Sequence, residues 1–108
     1  MLYMKLKRPA DSLTFFEKAV LYHPHHVEAY MNWGNALDEV GRLLDAIEIY
    51  NLAERSGAQL RVEFYYNRAM LYCEAKRRDE CIADLERTLA MVPGFPLAVN
   101  MLRRLRGP

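Results

Sequence analysis

Four groups of side chains could do chemistry. His23, His25 and His26 surround Pro24, and clustered imidazoles can hold a metal ion. Neighbouring histidines on a loop rarely aim at one ion, and no nearby Cys or Asp completes a ligand set. A polar loop is therefore expected, and no metal. Ser12, Ser56, Cys73 and Cys81 are of nucleophilic type, but each lies on a periodic apolar stretch or at its exit. No glycine-rich phosphate loop or HExxH is present, so neither an enzyme nor a cofactor is expected. The basic runs are KRR at Lys76–Arg78 and RRLR at Arg103–Arg106. Asp79, Glu80 and Asp84 interrupt the first, and the second is what a helix C-terminus favours. A nucleic-acid footprint needs one continuous basic face with interleaved aromatics, and neither run supplies it. The fourth group is amides: Asn32 and Asn67 recur at equal places in the chain, and an amide donates and accepts at once, as a peptide group requires.

The elements that must position these residues centre on Val27–Ala53. Tyr30, Trp33, Gly34 and Leu37 recur at i, i+3, i+4 and i+7, as do Leu43, Ala46, Ile47, Tyr50 and Ala53 on the same helical period. Small residues on these faces let two backbones approach while aromatics fill the space beside them, which predicts an antiparallel helix pair. Gly41 is expected to supply the left-handed cap between them. Helices are expected at about Val27–Val40, Leu43–Ser56, Arg61–Ala75 and Arg78–Met91. Pro9 opens an earlier helix carrying Leu13, Phe16, Ala19 and Val20 inward and stopping at Pro24; Met1–Leu6 reads as the end of a helix before it. A last helix begins near Pro96, with Leu97, Met101, Leu102 and Leu105 apolar.

The pattern repeats. A shift of about 35 residues places Tyr30 on Tyr65, Asn32 on Asn67, Gly34 on Ala69, Ala46 on Cys81, Tyr50 on Leu85 and Ala53 on Thr88. A shift of 34 in the other direction places Ser12, Phe16 and Ala19 on Ala46, Tyr50 and Ala53. Pro24 and Pro93 then mark equivalent exits, with Ala58 at the matching place between them. This spacing resembles the tetratricopeptide repeat, a helix–turn–helix solenoid unit. Trp33 and Arg68 stand where that family expects leucine, and Arg68 must snorkel or find a partner. One residue is inserted near Arg61. The spacing also resembles the pentatricopeptide family, which reads RNA, but SGAQL and MVPGF lack its glycine–hydrophobe–x–proline ending; RNA binding is the lesser alternative.

The resemblance implies an all-α, right-handed solenoid of antiparallel helix pairs. It would comprise a partial repeat over about 1–24, repeats over 27–58 and 62–93, and a capping helix over 95–106. It also implies a concave surface lined by the first helix of each unit. Glu28, Met31, Asn32, Asn35, Asp38 and Glu39 would face it from one unit. Glu63, Tyr66, Asn67, Met70, Cys73 and Glu74 would face it from the next, and Asn100, Met101 and Arg104 from the cap. In some relatives, asparagines at the place of Asn32 and Asn67 grip the backbone of an extended peptide. The face carries five carboxylates against one arginine, so the expected partner is a basic, extended segment of another protein. Relatives that bind an acidic chain terminus use Lys and Arg where this sequence has Met31, Glu63, Leu97 and Met101, so that ligand is not expected.

At 108 residues the chain suits one domain, and 52% hydrophobic residues suffice for a modest core. A formal charge of +1 gives no case for nucleic acid or membrane. No apolar run approaches a membrane span, and MLYMKLKRP is too short for a signal peptide. Cys73 and Cys81 are placed on opposite helices of one unit, with Cys81 a buried small hydrophobe; no disulfide is expected, and a reducing, cytoplasmic setting follows. The alternative function is self-association. The partial first repeat would leave Phe15, Phe16 or Val20 without a covering helix, and exposed apolar faces mark interfaces.

Overall fold

A computed structural model describes residues 9–107, all helix and connecting turns. The helices are α1 (Pro9–Tyr22), α2 (Val27–Glu39), α3 (Leu43–Arg55), α4 (Val62–Glu74), α5 (Arg78–Met91) and α6 (Pro96–Arg106). Their bounds fall within two residues of those expected from periodicity. The expected helix end at Met1–Leu6 and the side chain of Leu13 lie outside the described residues. The chain divides between Gln59 and Leu60 into two compact units. In unit 1, α1 packs on α2 and α2 on α3; in unit 2, α4 packs on α5 and α5 on α6. The fold is all-α, built from antiparallel helix pairs of the solenoid type.

Each pair closes where a small residue meets a large one. Gly34 of α2 lies against the Tyr50 ring of α3: a Cβ at Gly34 would stand 2.6 Å from two of its ring carbons and 3.3 Å from the Ala46 carbonyl oxygen. Tyr50 is completely buried, and its hydroxyl escapes the apolar interior by donating to Asn35 Oδ1 at 2.8 Å. In unit 2 the equivalent residues are Ala69 and Leu85, both completely buried. A methyl has been added on one helix and an aromatic ring removed from the other, so shape is kept while residue types change.

The turn inside each pair is the same Schellman arrangement. Arg42 N–H donates to Leu37 O at 2.8 Å and Gly41 N–H to Asp38 O at 3.0 Å. Gly41 is left-handed, with φ 85°, as its sequence position predicts.

The cysteines correct the sequence reading. Cys81 is fully buried in the place of an alanine, as expected, but it is bonded to Cys73 rather than free. Being on opposite helices is no obstacle. Cys73 lies in the last turn of α4 and Cys81 in the first turn of α5, so the short turn brings their Cα atoms within 5.3 Å. The expectation of a reducing compartment rested on unpaired thiols and loses that support. None of the described helices is long and apolar enough to cross a membrane.

The Gly34–Tyr50 contact leaves no room for a methyl. Gly34→Ala should cost ~1–3 kcal/mol in urea or thermal unfolding. Adding Tyr50→Leu, which reproduces the pairing of unit 2, should make the double variant more stable than the sum of the single changes implies. Strict additivity would show that the two residues do not share the contact.

Candidate functional site

In unit 1 the candidate residues lie on α2, and the structure gathers only some of them. Asn32, Asn35 and Glu39 line an open pocket of about 400 Å³ together with Phe16 of α1, Ala36 and Asp38. Glu28 and Met31, also expected on this face, do not line the pocket; Glu28 instead lies 3.8 Å from the His26 imidazole. The two asparagines of α2 are not equivalent. Both Asn32 and Asn35 are exposed, but the Asn35 side-chain oxygen is engaged by the Tyr50 hydroxyl. Asp38 and Glu39 form none of the ion pairs seen among the described residues, so the pocket wall is acidic.

Phe16 was read as an uncovered interface residue, and it is half-buried and lines the pocket. Val20 is buried in its own unit. Phe15 is 65% exposed, and the open apolar surface of α1 continues through Leu21 and Tyr22, each 77% exposed.

In unit 2, Glu63 and Glu74 are exposed on α4, with Tyr66, Asn67 and Met70 half-buried between them. Tyr66 rests against Phe95, their ring centres 5.6 Å apart. On α6, Asn100 and Arg104 are exposed and Met101 is half-buried. Asn100 accepts a long hydrogen bond from Arg103 at 3.4 Å. Arg106 pairs with Glu86, and Arg78 donates to the Leu105 carbonyl, so the end of α6 is tied to α5. The basic RRLR run is thus partly spent on docking this helix.

One polar constellation was only half legible in the sequence. Arg68 is 3% exposed and meets the fully buried Asp84 with a two-pronged contact: Nε to Oδ2 at 2.7 Å and a terminal nitrogen to Oδ1 at 3.0 Å. Arg87 adds a third bond to Asp84 Oδ1 at 2.6 Å. The guanidinium carbon of Arg68 lies 5.0 Å from the Phe64 ring centre and 5.9 Å from those of Tyr65 and Tyr72. Arg68 thus finds the partner its position demands. In the sequence, Asp84 reads only as an interruption of a basic run. The missing signal is the repeat itself: Arg68 stands at the place of Trp33 and Asp84 at that of Ile49, and those two line one cleft in unit 1. An apolar pair has been exchanged for a charged one. Asp84, Phe64, Tyr65 and Tyr72, which meet Arg68, all belong to unit 2. Among the described residues no group of His, Cys, Asp or Glu could hold a metal ion.

The sequence matches no protein-family model and no curated protein. Solved structures do resemble the chain. The MamA protein matches with a TM-score of 0.77 at 24% identity, over 97% of this chain and 58% of its own. The first TPR domain of Spaghetti (RPAP3), bound to the HSP90 peptide SRMEEVD, gives 0.81 at 21% identity, over 96% of this chain and 82% of its own. YrrB, described as a TPR protein with an unusual peptide-binding site, gives 0.75 at 21% identity, over 94% and 52%. The chain therefore spans little more than half the length of the MamA and YrrB structures. These likenesses show the fold: a tetratricopeptide-like helical repeat.

Breaking the buried pair strands a carboxylate that keeps only Arg87. Arg68→Leu should cost about 3 kcal/mol or more in urea unfolding. Arg68→Met with Asp84→Leu, which removes both charges, should lie within ~1 kcal/mol of wild type. A double variant as unstable as the single one would refute a mainly electrostatic cost.

Proposed function

We propose that this tetratricopeptide-like chain is a non-catalytic interaction module that captures an extended, basic segment of a protein partner. The observation that carries the reading is the pocket of unit 1, where Asp38 and Glu39 stand beside the amides of Asn32 and Asn35 and the ring of Phe16. Unit 1, residues 1–59, has eight carboxylates and six Lys or Arg, and two of those carboxylates, Asp38 and Glu39, stand at the pocket itself, which favours a cation there. A Lys or Arg side chain can present its stem to Phe16 and its charge to the carboxylates. Asn32 and, on α4 of the second unit, Asn67 are suited to pair with the peptide backbone. Met31, Tyr66 and Met70 supply adaptable apolar contact.

Peptide binding by structural neighbours lends the module reading support, and their ligand chemistry marks a contrast. The RPAP3 domain holds SRMEEVD, an acidic peptide. This chain has Met31, Glu63, Leu97 and Met101 where acid-binding relatives carry cations, so charge should select against such a ligand.

The test is fluorescence anisotropy or a peptide array with Lys/Arg-rich extended segments, SRMEEVD and charge-reversed controls. Basic segments should bind and weaken as salt rises, because exposed carboxylates are screened over ~8 Å at physiological ionic strength. Asn32→Ala and Asn67→Ala should each cost ~0.5–1.5 kcal/mol of affinity. Glu39→Lys should chiefly slow association. Equal binding of acidic and basic segments, or full affinity in a folded Asn32/Asn67 double variant, would remove the proposal.

A second reading, self-association, is favoured by the exposed Phe15, Leu21 and Tyr22 on α1. It requires a dimer in light scattering at micromolar concentration that Phe15→Glu or Tyr22→Glu splits; a monomeric wild type would discard it.

A further inference from the structure

We infer that the Cys73–Cys81 disulfide is a redox-sensitive clamp on the α4–α5 turn, holding in place a left-handed residue that the sequence does not favour. Unit 1 is the internal reference. Its α2–α3 turn has Asp38, Gly41 and Ala46 where the α4–α5 turn has Cys73, Lys76 and Cys81. The hydrogen bonds match: Lys76 N–H donates to Cys73 O at 3.1 Å and Arg77 N–H to Tyr72 O at 2.8 Å, as Gly41 and Arg42 donate to Asp38 and Leu37. The flanking ion pairs match too, Arg42–Asp45 at 2.9 Å and Arg77–Glu80 at 2.7 Å. Two things differ. Lys76 adopts φ 64°, the one positive φ outside glycine among the described residues, and a disulfide spans the turn that contains it.

These differences have one physical account. The Schellman turn demands a left-handed residue, which glycine adopts freely and lysine resists through its Cβ. A covalent link between residues three before and five after Lys76 keeps the helix ends together, so the strained residue cannot relax by unwinding the last turn of α4. Removal of the link releases it.

The link is also open to reduction from one side. Cys81 is fully buried, while Cys73 is partly exposed. A thiolate from a dithiol reductant attacks Cys73 Sγ, forming a mixed disulfide and expelling the Cys81 thiolate, which takes a proton. The second thiol of the reductant then displaces Cys73 as its thiolate, which is likewise protonated, and the reductant closes into its own disulfide. Two electrons pass to the protein and two thiols result. This inference stands whether or not the chain binds a peptide.

The experiment is amide hydrogen exchange by mass spectrometry on the full chain, air-equilibrated and after dithiothreitol, with thiols counted in each sample. Wild type should show no free thiol before reduction. Afterwards, exchange across residues 73–81 should quicken about tenfold while the equivalent residues 38–46 stay unchanged. In Lys76→Gly the acceleration should largely vanish, because a glycine turn has no strain to relax. Cys73→Ser in either buffer should exchange like reduced wild type. Two free thiols in the air-equilibrated protein would overturn the inference. So would unchanged exchange on reduction, a uniform rise across both turns, or equal acceleration in Lys76→Gly.

Discussion

The distance between the two helices of a unit decides almost everything else in this molecule. That distance is set by how a small residue on the first helix receives a large one from the second. With Gly34, the α2 backbone comes so near α3 that the Tyr50 ring occupies the space a side chain would fill. The close approach buries Ala46, Ile47 and Ala53 on one side and Tyr30, Ala36 and Leu37 on the other. It also fixes which residues are left over. On a helix whose inward positions are committed to the pair, Asn32, Asp38 and Glu39 are left over beside Asn35, which reaches the Tyr50 hydroxyl from the edge of the pair. The candidate pocket is thus a by-product of the pairing, defined by the faces that packing does not use.

The same constraint explains what was legible in advance. Helix order and bounds followed from apolar spacing, and the repeat followed from small and large residues recurring in register, because packing acts on those variables directly. Gly41 as a left-handed cap was legible for the same reason. What escaped were the polar substitutions within that frame. Arg68 announced a problem by its charge, but Asp84 could be recognised as the answer only by asking what the pair Trp33 and Ile49 had become in the second unit. The disulfide escaped because Cys73 is expected on the concave face, whereas the short α4–α5 turn brings its Cα within 5.3 Å of that of Cys81. Val20 was read as uncovered because the sequence alone cannot say how much of α1 the next helix shields.

The two units therefore close by different physics on one plan. Unit 1 relies on shape, with a glycine beneath a tyrosine and an apolar Trp33 and Ile49. Unit 2 adds directional links: a disulfide across its turn and a forked Arg68–Asp84 contact within its pair. A buried ion pair is poor evidence of added stability, since desolvation can exceed the attraction. Its effect is geometric. A guanidinium that meets a carboxylate with two parallel bonds admits few relative rotations of the helices carrying them. Shape complementarity among apolar groups is more forgiving.

This contrast bears on where a partner's charge would be felt. In unit 2, Asp84 is answered from within by Arg68 and Arg87, Glu80 by Arg77 and Glu86 by Arg106, whereas Glu63 of α4 is exposed and forms none of the ion pairs seen among the described residues. The Arg77 guanidinium also holds the Glu80 carboxyl below its ordinary pKa. A neutralised pair has little field beyond its own contact, and salt weakens what remains. In unit 1, Asp38 and Glu39 lie beside a pocket with no such internal answer, and their field reaches solvent. A carboxylate's pull on a passing cation therefore depends on whether a neighbouring guanidinium already meets it.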